Sequence, residues 1–524
     1  MLDIRNHIEP QAQKLENIFE DNRNQAMITL ILPPDRWNDM RFPVGILSIS
    51  SVLSRNGYEN VVLDSKLLDG TDKNPDDLIL ENLRKTSSMI VGLSSYIHEQ
   101  VYVAKIAKKI KELNKEIFVM VGGPQPTVAP EFYLKSGVDL VVRGEGEETI
   151  IPIIEEIKGS RDFEKINGVS FIRNGEVFST PSAPMIKDLN ILPLPAYDTS
   201  NIKHYARISS RVIRGVPLKT ASIMTSRGCP FSCTYCMGKL ITGKKVRFRS
   251  PELIYEEVKL LRDSFGFEAI YFLDDTLSVS KDYVKNICLI MKELGMLWGA
   301  QERVNTVSAS NLRDMAKSGC VQLDFGIESG SNRVLNEIAK KNITVEQSLS
   351  SQRLVKSFGI RTFSNFMIGF PTETRKEMWD TFKLAKKIKS DEYIFAILMP
   401  IPGTPIWDMV NPDIPPDRMS EMNFFGGELV DLYNRSEVKN LERVRTKFTN
   451  SLYIRSRFRK LLFYPRFLFK LSKKNFSRLP NRIVIDLLYE INLAKGQMIY
   501  TLKNIKPLRK AVRSIKRNLY KRSY

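Results

Sequence analysis

Short apolar runs separated by amphipathic stretches mark most of the chain between residues 27 and 400. Residues 27–32 (Met-Ile-Thr-Leu-Ile-Leu) form one such run, and Pro33-Pro34 stops it. The pattern predicts a short buried strand there. A helix is expected over 43–56, a second strand over Asn60–Leu63 ending at Asp64, and a third over Met89–Leu93. An amphipathic helix over Glu99–Leu113, a fourth strand over Glu116–Val121 and a fifth over Leu140–Val142 follow. Polar or glycine-bearing turns close the later strands: Ser94-Ser95-Tyr96, Gly122-Gly123-Pro124 and Arg143-Gly144-Glu145-Gly146-Glu147. Strands alternating with helices imply an α/β fold with a parallel, doubly wound sheet. Such sheets bind ligands at the carboxyl ends of their strands, where these turns lie.

Residues 161–215 break the rhythm with Asn174-Gly175, Pro181, Pro184, Pro193 and Pro195, and read as a linker with a small hairpin. From Ala221 the alternation resumes. Strands are expected at Ala221–Thr225, Ala269–Leu273, Trp298–Arg303, Gln322–Gly326, Thr362–Ile368 and Tyr393–Leu398. Helical stretches separate them, among them Pro251–Phe265 with Ser250 as N-cap. Six strand–helix units fall short of a full eight-unit barrel of roughly 250 residues and suggest a partial (β/α)6 barrel. The pattern stops beyond Pro405, and residues 439–520 read as basic helices. The expected organisation is an extension (1–24), a doubly wound Rossmann-like domain (25–160), the linker (161–215), the barrel (216–410) and a basic C-terminal helical region (411–524).

The 524 residues suffice for about three domains, and 43% hydrophobic content supports packed cores. Five cysteines do not suggest a secreted disulfide framework. Met1-Leu-Asp-Ile-Arg-Asn-His-Ile-Glu-Pro has no signal-peptide run, and no stretch approaches the roughly 20 apolar residues of a membrane span. A cytoplasmic protein is expected. The net charge of +20 is unevenly placed: residues 431–524 hold 25 Lys+Arg and 5 Asp+Glu, and the remainder is balanced. A basic tail suits nucleic acid, a membrane surface or an anionic substrate.

Cys229, Cys233 and Cys236 lie in Thr225-Ser-Arg-Gly-Cys-Pro-Phe-Ser-Cys-Thr-Tyr-Cys-Met-Gly, a C-x3-C-x2-C spacing on one loop after a strand. Three thiolates on an iron–sulfur cube leave one iron open to an outside ligand. A structural zinc site asks for a fourth Cys or His close by, and His204 lies 25 residues before Cys229. Cys288 and Cys320 read as buried core thiols.

The loop resembles that of the radical S-adenosylmethionine superfamily, C-x3-C-x-aromatic-C, with Tyr235 as the aromatic. Tyr271-Phe-Leu-Asp-Asp-Thr276, Trp298-Gly-Ala-Gln-Glu-Arg303, Phe325-Gly-Ile-Glu-Ser-Gly330, Phe366-Met-Ile-Gly-Phe-Pro-Thr-Glu373 and Pro400-Ile-Pro-Gly-Thr-Pro405 are similar to the later strand motifs, in order, over residues 221–410. The resemblance implies a [4Fe-4S] cluster on the three cysteines and reductive cleavage of S-adenosylmethionine at the open iron. An electron donor such as flavodoxin or ferredoxin would supply the electron. Tyr235, Asp275, Arg303, Glu328 and Gly369 become candidate S-adenosylmethionine contacts. Arg303 and Glu328 could instead pair inside the barrel, and Asp274 and Asp275 could likewise be structural. Asn365 stands where many relatives have glycine.

The N-terminal sheet resembles the cobalamin-binding domain that precedes this barrel in one branch of the superfamily. The matching residues are Phe42-Pro-Val-Gly-Ile-Leu47, Val121-Gly-Gly-Pro-Gln-Pro-Thr127 and Val142-Arg-Gly-Glu-Gly-Glu147. Ser94, Gly122, Gly123, Gly144 and Glu145 are the implied cobalamin contacts. Where histidine-ligating domains carry D-x-H-x-x-G, this chain has Asp64-Ser-Lys66 and its glycine one position late, at Gly70. Cobalamin would then bind without a lower histidine, or the domain would be empty. Gln125 replaces the histidine frequent after Gly-Gly-Pro, and His98 is either a ligand or a structural residue.

Ser456–Leu471 interleaves aromatics with cations, which suits either an anionic membrane face or a helical cap on the barrel. No RNA-binding module is recognisable, and no nucleic-acid partner is expected. The leading functional expectation is methylation of an unactivated carbon or phosphorus in a lipid or natural product. The alternative is a radical cyclase or oxidoreductase acting on a lipid or tetrapyrrole. Methylthiolation of transfer RNA fits less well, because no cysteine precedes Cys229. A non-catalytic cobalamin- or membrane-binding protein does not account for the intact cysteine loop.

Overall fold

The computed structural model describes residues 28–34, 42–68, 74–197 and 202–453. The N-terminal extension, the Ser456–Leu471 segment and the rest of the tail lie outside the described residues.

The first sheet has seven strands in the order β2-β1-β3-β4-β5-β6-β7. These are β1 (Ile28–Leu32), β2 (Asn60–Asp64), β3 (Ile90–Ser94), β4 (Phe118–Gly122), β5 (Leu140–Val142), β6 (Val169–Arg173) and β7 (Glu176–Ser179). The first five are parallel. The order reverses between β1 and β3, which opens a crevice at their carboxyl ends. Alternation along each strand serves two cores. Ile31, Leu63, Val91, Leu93, Val119 and Val121 face one helical layer. Leu30, Val62, Ile90, Met120 and Leu140 face the other, which is continuous with the core of the second sheet. The small hairpin expected within residues 161–215 is β6–β7. It pairs antiparallel with β5 and extends the sheet, with Phe171 against Phe163 and Phe178.

The second sheet is parallel and open, in the order β15-β14-β13-β12-β11-β8. Its strands are β8 (Thr220–Ile223), β11 (Ala269–Phe272), β12 (Leu297–Glu302), β13 (Cys320–Glu328), β14 (Arg361–Ile368) and β15 (Glu392–Ile397). A two-stranded ribbon, β9 (Ser226–Arg227) with β10 (Arg247–Phe248), lies just after β8. Helices such as Pro251–Phe265 cover the outside, the Ser250 hydroxyl accepting from the Leu253 N–H. Trp298, Phe272, Phe325 and Phe366 are fully buried in this layer. Cys288 and Cys320 are buried there as well.

Phe42 rivets the two units: its ring meets Tyr205 at 5.2 Å, Phe267 at 5.3 Å and Tyr197 at 5.9 Å. Residues 441–453 are helical. Phe448 from this helix is wholly buried against Phe382, Trp379 and Phe395. The described part of the basic region is therefore a cap on the β14–β15 side of the barrel.

Candidate functional site: a cysteine loop facing a nucleotide-fold crevice

The cysteine loop leaves β8 and is held from several sides. Cys229 N–H donates to Gly243 O at 3.0 Å, and Thr234 N–H to Ala339 O at 3.0 Å. The Thr234 hydroxyl donates to Ile338 O at 2.8 Å. Ile406 N–H returns a bond to Thr234 O at 3.1 Å. Gly228 has φ +106°, and a Cβ there would collide with the Lys245 carbonyl, so only glycine closes this turn.

Each thiol sits in a polar setting. Arg303 Nη1 donates to Cys233 Sγ at 3.4 Å, and Gly238 N–H to Cys236 Sγ at 3.3 Å. Burial pushes the Cys229 thiol up, against the Phe231 N–H, with Asp275 and Cys233 adding to the rise and Arg303 opposing it. Cys236 is exposed as a residue, yet its thiol is hemmed in. That desolvation pushes it up to about 11, with Asp275, Cys233 and Cys229 adding to it and the Gly238 N–H opposing it. Cys229 and Cys236 thus both feel Cys233 and Asp275. Among the described residues no His, Cys, Asp or Glu group converges as a metal ion requires. A cubane instead takes each thiolate on a different iron, and its thiolates gain from N–H donors such as these.

The walls of the mouth are charged. Glu328 ends β13 in the left-handed region (φ +64°), where the register with β14 shifts. Its carboxylate pairs with Lys341 Nζ at 3.1 Å, and the same ammonium donates to Tyr235 Oη at 3.1 Å. Arg303 stacks over Phe231 at 3.6 Å and donates to the Lys341 carbonyl. Arg303 and Glu328 are therefore brought together through Lys341 rather than by a mutual pair. Asp275 accepts from the Thr242 hydroxyl at 3.1 Å, and burial pushes its carboxyl up. Asp274 points back into the fold, where Thr225 and Ser226 donate to it. Gly369 (φ +89°) follows β14, and its missing Cβ would lie 2.6 Å from Leu441 of the cap.

At the crevice of the first sheet, Ser94, Gly122 and Gly123 are neighbours. Ser95 N–H donates to Gly122 O at 3.0 Å, and a Cβ on Gly123 would meet Ser95 O at 3.0 Å and Ser94 Oγ at 3.5 Å. Gly144 N–H donates to Thr127 Oγ1 at 3.0 Å, and its Cβ direction is open. Glu145 does not line this crevice with a spare carboxylate. Both oxygens engage Arg247, and one also engages Arg227. Asp64 accepts from the Tyr205 hydroxyl and the Lys66 N–H, and His98 lies 3.6 Å from Glu99 and stacks on Tyr96.

The two strand-end faces meet. A Cβ on Gly403, in the loop after β15, would lie 3.4 Å from Val128 beyond β4 and 3.3 Å from Leu240 of the cysteine loop. Sequence reasoning missed Lys341, Arg227, Arg247 and Tyr205. Ordinary cations and a tyrosine carry no local pattern, and only the packing of distant segments picks them out.

Comparison with known proteins agrees with this geometry. The radical SAM superfamily model matches residues 223–385, and the B12 binding domain model matches residues 41–153. An uncharacterised methyltransferase of Pyrococcus horikoshii is 36% identical over 394 residues, covering 73% of this chain and 82% of that protein. Cytidylyl-2-hydroxyethylphosphonate methyltransferase of Streptomyces wedmorensis is 27% identical, with 75% and 82% covered. An anaerobic magnesium-protoporphyrin IX monomethyl ester cyclase of Rubrivivax gelatinosus is 26% identical, with 74% and 72% covered. The solved radical S-adenosylmethionine methyltransferase TsrM of Kitasatospora setae superposes with a TM-score of 0.62 at 18% identity, over 74% of this chain and 76% of that one. The chain belongs to the radical SAM superfamily, in the branch that places a B12-binding domain before the barrel.

Proposed function

We propose that the protein is a cobalamin-dependent radical SAM methyltransferase acting on an unactivated carbon or phosphorus of a small lipid or natural-product substrate. The supporting observation is the Gly403 contact, which sets the exit of the barrel against both the cysteine loop and the crevice of the first sheet. The methyltransferases of Pyrococcus and Streptomyces, aligned along most of their length, support the same reading.

When bound, the cluster with S-adenosylmethionine supplies one-electron bond cleavage and hydrogen abstraction, and cobalamin supplies a methyl group. The chain's own residues bind, orient and exclude water. Cys229, Cys233 and Cys236 would hold the irons, with Arg303 and Gly238 N–H groups stabilising two of the thiolates. Tyr235, Glu328, Arg303 and Asp275 would surround the polar end of S-adenosylmethionine. Lys341 fixes the orientation of Glu328 and Tyr235. Gly369 would bring backbone close to the adenine. Ser94, Gly122, Gly123 and Gly144 would line the cobalamin crevice, with Glu145 holding its rim. A flavodoxin- or ferredoxin-type donor would deliver the electron. Among the described residues no helix is long and apolar enough to cross a membrane, and the basic tail would make peripheral contact with an anionic cytoplasmic face.

The test is anaerobic purification with iron, sulfide and cobalamin supplied. The unmodified protein is expected to be brown, to carry cobalamin and to release 5′-deoxyadenosine from S-adenosylmethionine. Alanine at Cys229, Cys233 and Cys236 should abolish both colour and cleavage. Cleavage retained in that variant would overturn the cluster assignment. A brown, active protein that takes up no cobalamin would overturn the methyltransferase reading.

A further inference from the structure

We propose that Glu145 and Glu147 with Arg227 and Arg247 form a buried clamp that holds the cysteine loop in register with the B12-binding domain. These are positioning residues, and the proposal rests on the two-cofactor reading above. Arg247 lays its planar fork on Glu145, with Nη1 to Oε2 at 2.7 Å and Nη2 to Oε1 at 2.9 Å. Arg227 bridges the two acids, reaching Glu145 Oε1 at 3.2 Å and Glu147 Oε1 at 2.5 Å. The four side chains are between 5% and 13% exposed.

Further donors and acceptors join the four side chains. Ser48 Oγ donates to Glu147 Oε1 at 3.0 Å, and Ile186 N–H donates to Glu145 Oε2 at 2.8 Å. Arg247 further donates to Ile186 O at 2.6 Å and Thr242 O at 2.7 Å. Burial alone would push the Glu147 carboxyl up, but Arg227, its own backbone N–H and the Ser48 hydroxyl together hold the group below the usual carboxylate range.

Its position gives it a use beyond cohesion. Glu145 and Glu147 follow β5 directly, beside Gly144 at the rim of the crevice. Arg227 ends β9 two residues before Cys229, and Arg247 begins β10, its partner strand. One two-stranded ribbon thus carries both arginines, and the first cluster ligand follows it by two residues. A buried ion pair adds little net stability compared with apolar packing, but its forked geometry tolerates few alternatives. The first sheet and the barrel already share one hydrophobic core, and the clamp adds to that apolar contact a polar register between the strand-end turn after β5 and the ribbon that leads into the cysteine loop.

The experiment uses the full chain loaded with iron, sulfide and cobalamin. Glu147→Gln and Arg227→Lys are compared with the unmodified protein. The lysine keeps the charge but cannot fork across two carboxylates. The readout is the electron-spin interaction between the reduced cluster and cob(II)alamin. Both variants are expected to retain cofactor content while the distance distribution broadens severalfold. Distributions superimposable on the unmodified protein's would overturn the clamp. Should either variant fail to load, or the unmodified protein bind no cobalamin, native-state hydrogen exchange of the unmodified chain decides. Amides of 225–229 and 140–147 should then open as one cooperative unit, and independent opening would overturn the proposal. Absent cobalamin sinks the proposed function, whereas independent opening sinks only the clamp.

Discussion

Glu328 holds a left-handed backbone conformation that costs a side-chain-bearing residue about 1–3 kcal/mol, and it keeps its carboxylate buried against Lys341. Lys341→Met would strand that carboxylate. Removing one partner of a buried pair costs about 3–5 kcal/mol. Urea unfolding of the variant should show a loss of that order, and an unchanged midpoint would show that Glu328 does not depend on Lys341. Glu373 offers a pH test. Its Oε2 accepts from the Gly369 and Phe370 N–H groups, while Oε1 is buried without a partner among the described residues. Burial pushes this carboxyl from its ordinary 4.5 up to about 8, against those two donors. The folded state therefore holds a proton that the unfolded chain releases between these values. Its stabilising contribution is full below that window and is lost as pH rises through it. Relative to Glu373→Gln, the unmodified protein should lose on the order of a few kcal/mol between the two ends of the window. Parallel stability curves for the two proteins would contradict this. The cysteines were legible because their spacing is local and their chemistry unusual. Glu145 is a crevice candidate through the resemblance carried by Val142-Arg-Gly-Glu-Gly-Glu147, but a motif does not say which way a side chain turns. Lys341 carries no local pattern at all, and only the packing of Glu328 and Tyr235 around it picks it out.

Strands were the most legible elements. Leu140–Val142 and the Pro251–Phe265 helix fall where periodicity put them, and most other ends shift by one or two residues. The hairpin was legible as a hairpin but not as part of a sheet. Whether β6 pairs with β5 depends on a free edge that only the assembled strands present. Gly369 shows the same limit. Sequence suggested close approach by a ligand, and the fold adds Leu441 from a segment 72 residues later in the chain. Gly369→Ala should suffer twice, through a positive φ that disfavours a Cβ by about 1–2 kcal/mol and through the Leu441 contact. Leu441→Ala alone opens a cavity and should cost about 2–5 kcal/mol. In the double variant the contact penalty disappears while the backbone penalty stays. The two substitutions should therefore couple favourably by about 0.5–3 kcal/mol. Urea midpoints of the four proteins measure this coupling, and strict additivity would show that the cap leaves room for a methyl group.

At the scale of the whole molecule, the charge surplus and the packed cap divide the C-terminal region in two. Residues 454–524 hold 20 Lys+Arg and 2 Asp+Glu. The stretch before them carries Leu441, Phe448 and Leu452, all buried against the barrel. Sequence merged these two parts, because a basic amphipathic helix looks the same whether its apolar face meets a barrel or a lipid. A chain cut after residue 438 should lose stability, since Phe448 alone fills a site worth about 3–5 kcal/mol by the usual cost of such truncations. A chain cut after residue 453 keeps the cap and should keep its unfolding midpoint, its iron and its cleavage of S-adenosylmethionine. What it should lose is sedimentation with phosphatidylserine vesicles, because each Lys or Arg near an anionic surface contributes about 1 kcal/mol. Binding by the full chain should vanish between about 0.1 M and about 1 M salt, as the Debye length falls from about 10 Å to about 3 Å. Vesicles of phosphatidylcholine alone should bind neither protein. If the chain ending at 453 sediments with the anionic vesicles as fully as the intact one, the tail is not the membrane contact, and its charge must serve another anionic partner.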